Sequence, residues 1–253
     1  MAYNYEDFSE LVHKRRSVRK LKPDPIPEGS AEKILECGRW AMSGGNAQPW
    51  EFIVIQDADT KRKMAELWTE CAREYKYLEL TRTPEIRHPL FSRSFDEPPN
   101  WKNAPLLIGV IGDRRKMQIS VLHPGFYGAE GGDGINATFY KDLGCAAQVM
   151  HLAACSLGLA SHWLSIERDL EQKYKRLLGI PDDLELHSLV VVGYPAYEPP
   201  AGYRRDLKDF VHYERYDDKL YSSTKDLLEQ ILASRNAVRA QESAAYTLSD
   251  GDR

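Results

Sequence analysis

The chain is organised around Ser43-Gly44-Gly45-Asn46-Ala47-Gln48-Pro49-Trp50-Glu51-Phe52. This stretch joins a segment with the apolar spacing of a helix to the run Phe52-Ile53-Val54-Ile55, which is typical of a buried strand. Its paired glycines allow positive φ and a close approach of the backbone to a ligand. Asn46 and Gln48 add amides that both donate and accept hydrogen bonds. Taken alone, the stretch fits a helix stop and turn as well as it fits a binding loop.

Composition narrows the classes of function. The chain has 253 residues, a net charge of −4 and scattered basic residues, so it predicts no nucleic-acid surface. The first residues are polar and acidic, unlike a signal peptide, and no apolar run reaches the length of a membrane span. The four cysteines have no CxxC spacing and no metal-like pairing with histidine. These features predict a cytoplasmic protein with no metal site and no nucleic-acid or membrane partner.

Periodicity predicts alternating helices and strands in one domain. Helices are expected at 7–16, after Pro27, from about 57 to 75, and at 136–158, 168–178 and 223–237. Strands are expected at 52–56, 104–111, 158–165 and 184–192. Asp7 or Ser9 is the expected cap of the first helix. The helix at 136–158 is lined by small residues, which suit either a bundle core or a subunit seam.

Two further stretches lack a clear period. Residues 76–103 hold four prolines and several aromatic residues, which favour a lid or binding loop over an idle surface excursion. Residues 117–135 are rich in glycine but contain no phosphate-loop motif, so they predict flexibility only.

The run Arg15-Arg16-Ser17-Val18-Arg19 carries the strongest charge pattern. A basic run after a helix is usually a solvated face, favoured by the helix dipole. Here the hydroxyl lies between guanidinium groups, and Val18 alternates with the charges as in an extended segment. Such a group suits a phosphate or a polarised carbonyl.

Four separated signals stand in a fixed order: 15–19, 43–52, 158–165, and Gly193-Tyr194-Pro195 with Arg204-Arg205-Asp206-Leu207. Together they resemble the FMN-dependent nitroreductase family over about residues 5–215. The resemblance implies an α+β fold in which a central, mostly antiparallel sheet is flanked by helices. It also implies an intertwined homodimer with FMN at the interface. Residues 1–215 would form the FMN-binding domain, and 216–253 a C-terminal helical extension and tail of that domain.

The resemblance assigns roles residue by residue. The segment implied to meet the phosphate, the ribityl chain and the N1 side of the flavin consists of Arg15, Arg16, Ser17 and Arg19. The segment implied to come from the other subunit consists of Met42, Ser43, Gly44 and Asn46. The loop along the pyrimidine edge and N5 consists of Trp163, Leu164 and Ser165. The basic group that closes on the phosphate is Arg204, with Arg205 beside it. Gln48, Pro49 and Trp50 are expected to be structural, and no side chain is expected to act as a catalytic nucleophile or base.

The implied activity is hydride transfer by a ping-pong mechanism. NADH or NADPH would reduce the flavin, and a small electron-poor acceptor (a nitroaromatic, a quinone or an activated alkene) would then be reduced in the same place. Reductive dehalogenation of halophenols is an alternative, with Glu74, Tyr75 and Lys76 near the start of the 76–103 segment. Oxygen-dependent flavin fragmentation is another, and a flavin-binding module with negligible turnover is the alternative outside enzymes. Ser165 and Ala160 stand where many family members have glycine.

Overall fold

The computed structural model of the chain describes residues 4–87, 98–120 and 133–247. These ranges contain seven α-helices and four β-strands. In chain order they are α1 (Tyr5–Lys14), α2 (Ser30–Arg39), β1 (Trp50–Ile55), α3 (Ala58–Leu80), β2 (Leu106–Gly112), α4 (Arg114–Ser120), α5 (Asp133–Ser156), β3 (Ala160–Ser165), α6 (Arg168–Leu178), β4 (Glu185–Gly193) and α7 (Thr224–Thr247).

The four strands form one sheet in the order β1-β2-β4-β3. All three strand pairs are antiparallel, which confirms the predicted sheet type. Every residue of β2 is buried, as expected for a central strand with an unbroken apolar sequence. Beyond β3, Ser17 forms a parallel bridge with Ser161, and Leu21 forms an antiparallel bridge with Pro195. The chain after α1 therefore runs along the β3 edge of the sheet.

Helix α5 packs against α2 and the sheet within the same chain. Its residues Ala146, Ala147 and Ala154 are fully buried in the main hydrophobic cluster. A Cβ at Gly38 of α2 would lie 2.7 Å from Cγ of Met150, so the two helices approach too closely for a larger residue. The small residues of α5 thus serve the core of the chain, one of the two roles that the sequence left open.

Several of the predicted helix boundaries were wrong. The cap of α1 is Asn4, whose side chain accepts the N–H of Glu6 at 3.0 Å, and the helix begins before Asp7 and Ser9. Helix α3 continues to Leu80 and α7 to Thr247, five and ten residues beyond the predicted ends. These extensions are rich in residues with high helix propensity, and no glycine or proline interrupts them.

The described parts of the two stretches without a period contain helices. Residues 76–80 belong to α3, short 3-10 helices lie at Pro84–Ile86 and Asn100–Asn103, and Trp101 is buried. The prediction that residues 117–135 are flexible was wrong at both ends, because α4 runs to Ser120 and α5 starts at Asp133. The rest of each stretch, 88–97 and 121–132, lies outside the described residues.

The chain divides into two compact units, Met1–Cys71 with Pro98–Ala196 and Ala72–Glu97 with Tyr197–Arg253. The first contains the whole sheet and α5. In the second, Arg239 of α7 donates to the carbonyl of Glu85 at 3.1 Å, and Gln241 donates to the carbonyl of Pro200 at 3.2 Å. The predicted division at residue 215 stays a prediction. Across the described ranges, no helix combines the length and apolarity that a membrane crossing needs.

Candidate functional site

The structure joins two of the predicted cofactor segments at the β3 edge. The backbone N–H of Val18 donates to the carbonyl of Ser161 at 3.1 Å, and Ser17 is the bridge partner of Ser161. The carbonyl of Val18 lies 3.0 Å from Nδ1 of His162, which is buried. Residues 15–19 are therefore held beside the strand that ends in 163–165.

The basic segment adopts the extended form that its alternation predicts. Helix α1 ends at Lys14, and Arg15 takes φ −57° and ψ 123°. Arg16 donates to the carbonyl of Arg15 at 3.1 Å and to the carbonyl of His13. The side chains of Arg15, Arg16, Ser17 and Arg19 are all half-buried. Half-buried guanidinium groups keep more of their interaction with an anion than fully solvated ones.

His151 of α5 lies beneath this junction. Its Nδ1 is 2.8 Å from Oγ of Ser161, and its ring stacks on Trp163 at 5.9 Å between centroids. Burial, together with the positive charge of Arg15, lowers the pKa of His151 to about 4, so the imidazole is neutral at pH 7. Its Nε2 is buried and has no hydrogen-bond partner among the described residues. His151 is thus a buried histidine with a hydrogen-bond partner for one of its two ring nitrogens among the described residues.

The Gly-Gly-Asn loop has an unusual backbone. Gly45, Asn46 and Gln48 have φ of 57°, 54° and 46°, the left-handed region that residues other than glycine rarely adopt. Oγ of Ser43 accepts the N–H of Gln48 at 3.0 Å, and the Gln48 amide donates to Oδ1 of Asn46 at 3.3 Å. Met42 is 78% exposed at the start of the loop.

The exit of the loop is anchored as expected. Trp50 is buried in the core cluster, and the carbonyl of Pro49 accepts the N–H of Asp113 at 2.8 Å. With the hydrogen bonds of Gln48 inside the loop, these contacts agree with the structural role predicted for residues 48–50.

Asp142 of α5 is a residue that sequence reasoning missed. Both of its carboxylate oxygens lie 3.2 Å from the N–H of Gly44, so α5 holds the loop from below. It is 5% exposed, and burial raises its pKa. The available signal was a carboxylate in the same helical stripe as Phe139 and Ala146, both of which are core residues.

The loop and the β3 junction lie at different places on one chain. Asp142 and His151 are nine residues apart on α5, which corresponds to about 13 Å along the helix axis. The loop also leads into β1, and β2 and β4 separate β1 from β3. The unit that contains the sheet therefore brings 15–19 and 161–165 together but holds 42–46 apart from them.

The remaining predicted residues, Arg204 and Arg205, lie in the second unit. Arg204 is exposed and donates to the carbonyl of Tyr203 at 2.7 Å. Arg205 donates to Oε1 of Gln230 at 3.3 Å, and its guanidinium lies 4.8 Å from the centre of the Phe210 ring. A cavity of about 260 Å³ borders Arg205 and is otherwise lined mainly by aromatic and apolar side chains. In the part of the chain that the structure describes, no group of three or more histidine, cysteine or acidic side chains could hold a metal ion.

Comparison with known proteins gives a consistent result. The putative NADH dehydrogenase/NAD(P)H nitroreductase of Methanothermobacter thermautotrophicus is 29% identical over 214 residues, which is 83% of this chain and 88% of that protein. The iodotyrosine deiodinase of Nematostella vectensis is 24% identical over 81% of this chain and 74% of its own length. Among solved structures, an FMN-dependent nitroreductase from Clostridium difficile R20291 superposes with a TM-score of 0.56, at 23% identity, over 81% of this chain and 98% of that chain. The sequence model of the nitroreductase family matches residues 12–194. With that match over most of its length, and with the sheet that the family resemblance predicts, this chain belongs to the nitroreductase family.

Proposed function

We propose that this protein is an FMN-dependent oxidoreductase that takes hydride from NADH or NADPH and reduces a small electron-poor acceptor. The observation that carries the proposal is the joining of the Arg15–Arg19 segment to the first residues of β3 through Ser17 and Ser161. Family membership supports the class of reaction. The names of the archaeal relative and the clostridial structure support the NAD(P)H donor and the FMN cofactor.

The residues at the β3 junction fit FMN. Three half-buried guanidinium groups and the Ser17 hydroxyl supply donors for a phosphate, ribityl hydroxyls and a polarised carbonyl. The three residues that end β3 would lie along the pyrimidine edge: Trp163, Leu164 and Ser165. When bound, FMN would supply the hydride chemistry, as cofactors do in oxidoreductases.

The chain's own residues would bind and orient the flavin and would tune its reduction. The guanidinium groups of 15–19 favour the negative charge that reduction places near N1 of a flavin. His151 stays neutral beneath them because it is buried beside Arg15, so it adds no competing charge. Its ring supports one face of Trp163, which keeps this side chain in place at the site.

We also propose a homodimer with two equivalent sites. Within one chain the 42–46 loop lies about 13 Å along α5 from the β3 junction, so a second copy would supply this loop to complete each site. Large apolar side chains near the loop and on α1 are exposed and would be covered by that copy. They are Tyr5 (72%), Phe8 (55%), Trp40 (75%) and Met42 (78%). Residues 216–253, which include α7, would extend the FMN-binding domain toward the partner.

Reductive dehalogenation is the second candidate, because the Nematostella relative is a deiodinase. The structure gives this reading little support in the residues first considered for it. Glu74, Tyr75 and Lys76 are consecutive on α3, and consecutive helical residues point about 100° apart. They therefore cannot clamp one substrate together from the same helix face.

The test is anaerobic spectroscopy of the purified protein. We expect the flavin absorption band to bleach with NADH or NADPH and to return on addition of a nitroaromatic or quinone, faster than on addition of a halotyrosine. Faster return with the halotyrosine would favour the dehalogenase. Bound FMN that neither nicotinamide reduces would favour a binding module. A colourless protein that takes up no FMN overturns the proposal.

A further inference from the structure

Asp142 carries a buried carboxylate with little compensation. It is 5% exposed, and the donor that the described residues supply is the backbone N–H of Gly44, shared between its two oxygens at 3.2 Å. An ionised carboxylate offers about four acceptor positions. Buried charges are costly unless they are paired and hydrogen-bonded, so a carboxylate retained here calls for a purpose other than stability.

The loop lies directly on α5 at this point. A Cβ added to Gly44 would lie 2.8 Å from Cγ2 of Thr138 and 3.8 Å from Oδ2 of Asp142. Glycine is therefore required for the N–H of residue 44 to reach the carboxylate. The contact spans 98 residues of sequence, so it fixes the loop to the long core helix rather than to its neighbours in sequence.

The loop conformation needs such an anchor. Asn46 and Gln48 take positive φ without being glycine. Backbone strain of this kind persists where the surroundings determine it, and it is common at ligand-binding sites. Two hydrogen bonds stabilise this strained conformation: Gly44 donates to Asp142, and Gln48 donates to Oγ of Ser43.

We propose that Asp142 is a positioning residue for the cofactor: by holding Gly44 it keeps Met42–Asn46 in the conformation that meets the flavin. The inference rests on the proposed function, because it takes the 42–46 loop to be a flavin contact. Asp142 would act through the loop backbone and would not touch the reacting atoms. Neither the family match nor the names of the relatives assigns it this role.

The discriminating variant is Asp142→Leu in the full chain. Burying a charge that is poorly paired costs free energy, so its replacement by an apolar residue of similar size should be neutral or stabilising. We therefore expect the thermal unfolding midpoint of the apoprotein to be unchanged or raised, while the FMN dissociation constant, measured by quenching of flavin fluorescence, rises about tenfold or more. A merely structural residue would not separate these two readouts.

Two further variants complete the test. Asp142→Asn keeps an oxygen that can accept from Gly44, so its FMN affinity should stay within about threefold of wild type. Asp113→Asn is the control for Asp142→Asn, because Asp113 is equally buried, at 5%, and its side chain bonds Arg115. Asp113 meets the exit of the loop through its backbone N–H, which the substitution keeps, so its FMN affinity should equal that of wild type. If Asp142→Leu does not fold, Asp142→Ala replaces it in the same comparison.

The outcomes separate this inference from the proposed function. If wild type binds FMN and Asp142→Leu, or Ala, binds it equally well, the positioning role is overturned and the proposed function stands. If Asp142→Asn is as weak as Asp142→Leu, acceptance from Gly44 is not the basis and the inference is also overturned. If wild type takes up no FMN, both fail together.

Discussion

Oγ of Ser161 lies 2.8 Å from Nδ1 of His151, and this contact ties α5 to β3 directly beneath the Arg15–Arg19 segment. The same imidazole is neutral because burial and Arg15 lower its pKa from 6.5 to about 4. A histidine with a depressed folded-state pKa stabilises the native state above the unfolded pKa, and that stability is lost as the pH falls toward the folded value.

We therefore expect the unfolding free energy to begin to fall as the pH drops below about 6.5. Between pH 6.5 and about 4, the titration of His151 should lower the unfolding free energy by up to about 3.5 kcal/mol, from a pKa difference of about 2.5 at ~1.4 kcal/mol per unit. His151→Gln keeps a partner for Ser161 but does not titrate, so its loss over the same range should be smaller. Urea unfolding at several pH values measures this. His162, whose pKa is lowered to about 3, is present in both proteins, so its titration does not contribute to the difference between them. Identical slopes for the two proteins would contradict the prediction.

The two arginines of the C-terminal motif should differ in function. Arg204 is exposed and bonds the carbonyl of its neighbour Tyr203, whereas Arg205 is held by Gln230 and Phe210. We expect Arg204→Ala to weaken FMN binding about tenfold or more with little change in stability, because the proposed charge-assisted contact to phosphate would be lost. Arg205→Ala should cost about 1 kcal/mol of unfolding free energy and change FMN affinity less.

Fluorescence titration with FMN and urea unfolding separate these two effects. Arg39→Ala is the control, because Arg39 is an exposed arginine paired with Glu36. Loss of FMN from Arg205→Ala but not from Arg204→Ala would reverse the assignment.

Ser165 should affect the separation of one-electron steps. It is exposed at the end of β3, and its hydroxyl can both donate and accept, whereas a backbone N–H only donates. A group that does both suits N5 of a flavin before and after it gains a proton. We expect Ser165→Gly to lower the first one-electron reduction potential of the bound flavin relative to the second. The shift should correspond to the free energy of about one hydrogen bond, ~1 kcal/mol.

Potentiometric titration of the bound flavin measures that difference. Ser165→Ala removes the hydroxyl but keeps Cβ, and Ser165→Thr keeps the hydroxyl. The prediction is wrong if Ala behaves as wild type while Gly does not, because bulk rather than the hydrogen bond would then be responsible.

Close packing at the end of β2 gives a stability prediction. A Cβ at Gly112 would lie 2.3 Å from Cζ of Phe139 and 2.7 Å from Cδ1 of Leu143. Gly112→Ala should therefore cost about 1–3 kcal/mol through overpacking. Replacing the Phe139 ring by a smaller side chain in a Gly112→Ala/Phe139→Leu double variant should recover part of this lost stability. Urea unfolding of the wild type, the two single variants and the double variant would show it. Gly144→Ala, on open helix surface, should cost nothing; an equal loss there would remove the packing explanation.

Local sequence pattern was enough for the strands and for several helix ends. The apolar run at 104–111 became β2, and the helix expected from about 57 is α3, where Asp57 accepts the N–H of Thr60 at 2.7 Å. Gly179 ends α6 in the left-handed conformation. Each of these features is decided by residues within a few positions of one another.

Long-range contacts were not accessible to the same reasoning. The bridge between Ser17 and Ser161 and the bond between Gly44 and Asp142 join residues more than ninety positions apart. The family resemblance singled out Ser17 and Gly44, because they lie in its motifs, but it gave no partner for either. Asp142 lies outside those motifs and became visible only through its contact.

Helix α5 separates the anchors of the two predicted cofactor segments, Asp142 and His151, by a fixed number of residues. A one-residue insertion between Asp142 and His151 would turn one anchor by about 100° relative to the other. Substitutions on the exposed face of α5 can accumulate without that effect, whereas a change in its length would release the loop or the β3 junction. Selection on the length of this helix should consequently be stricter than selection on its surface composition.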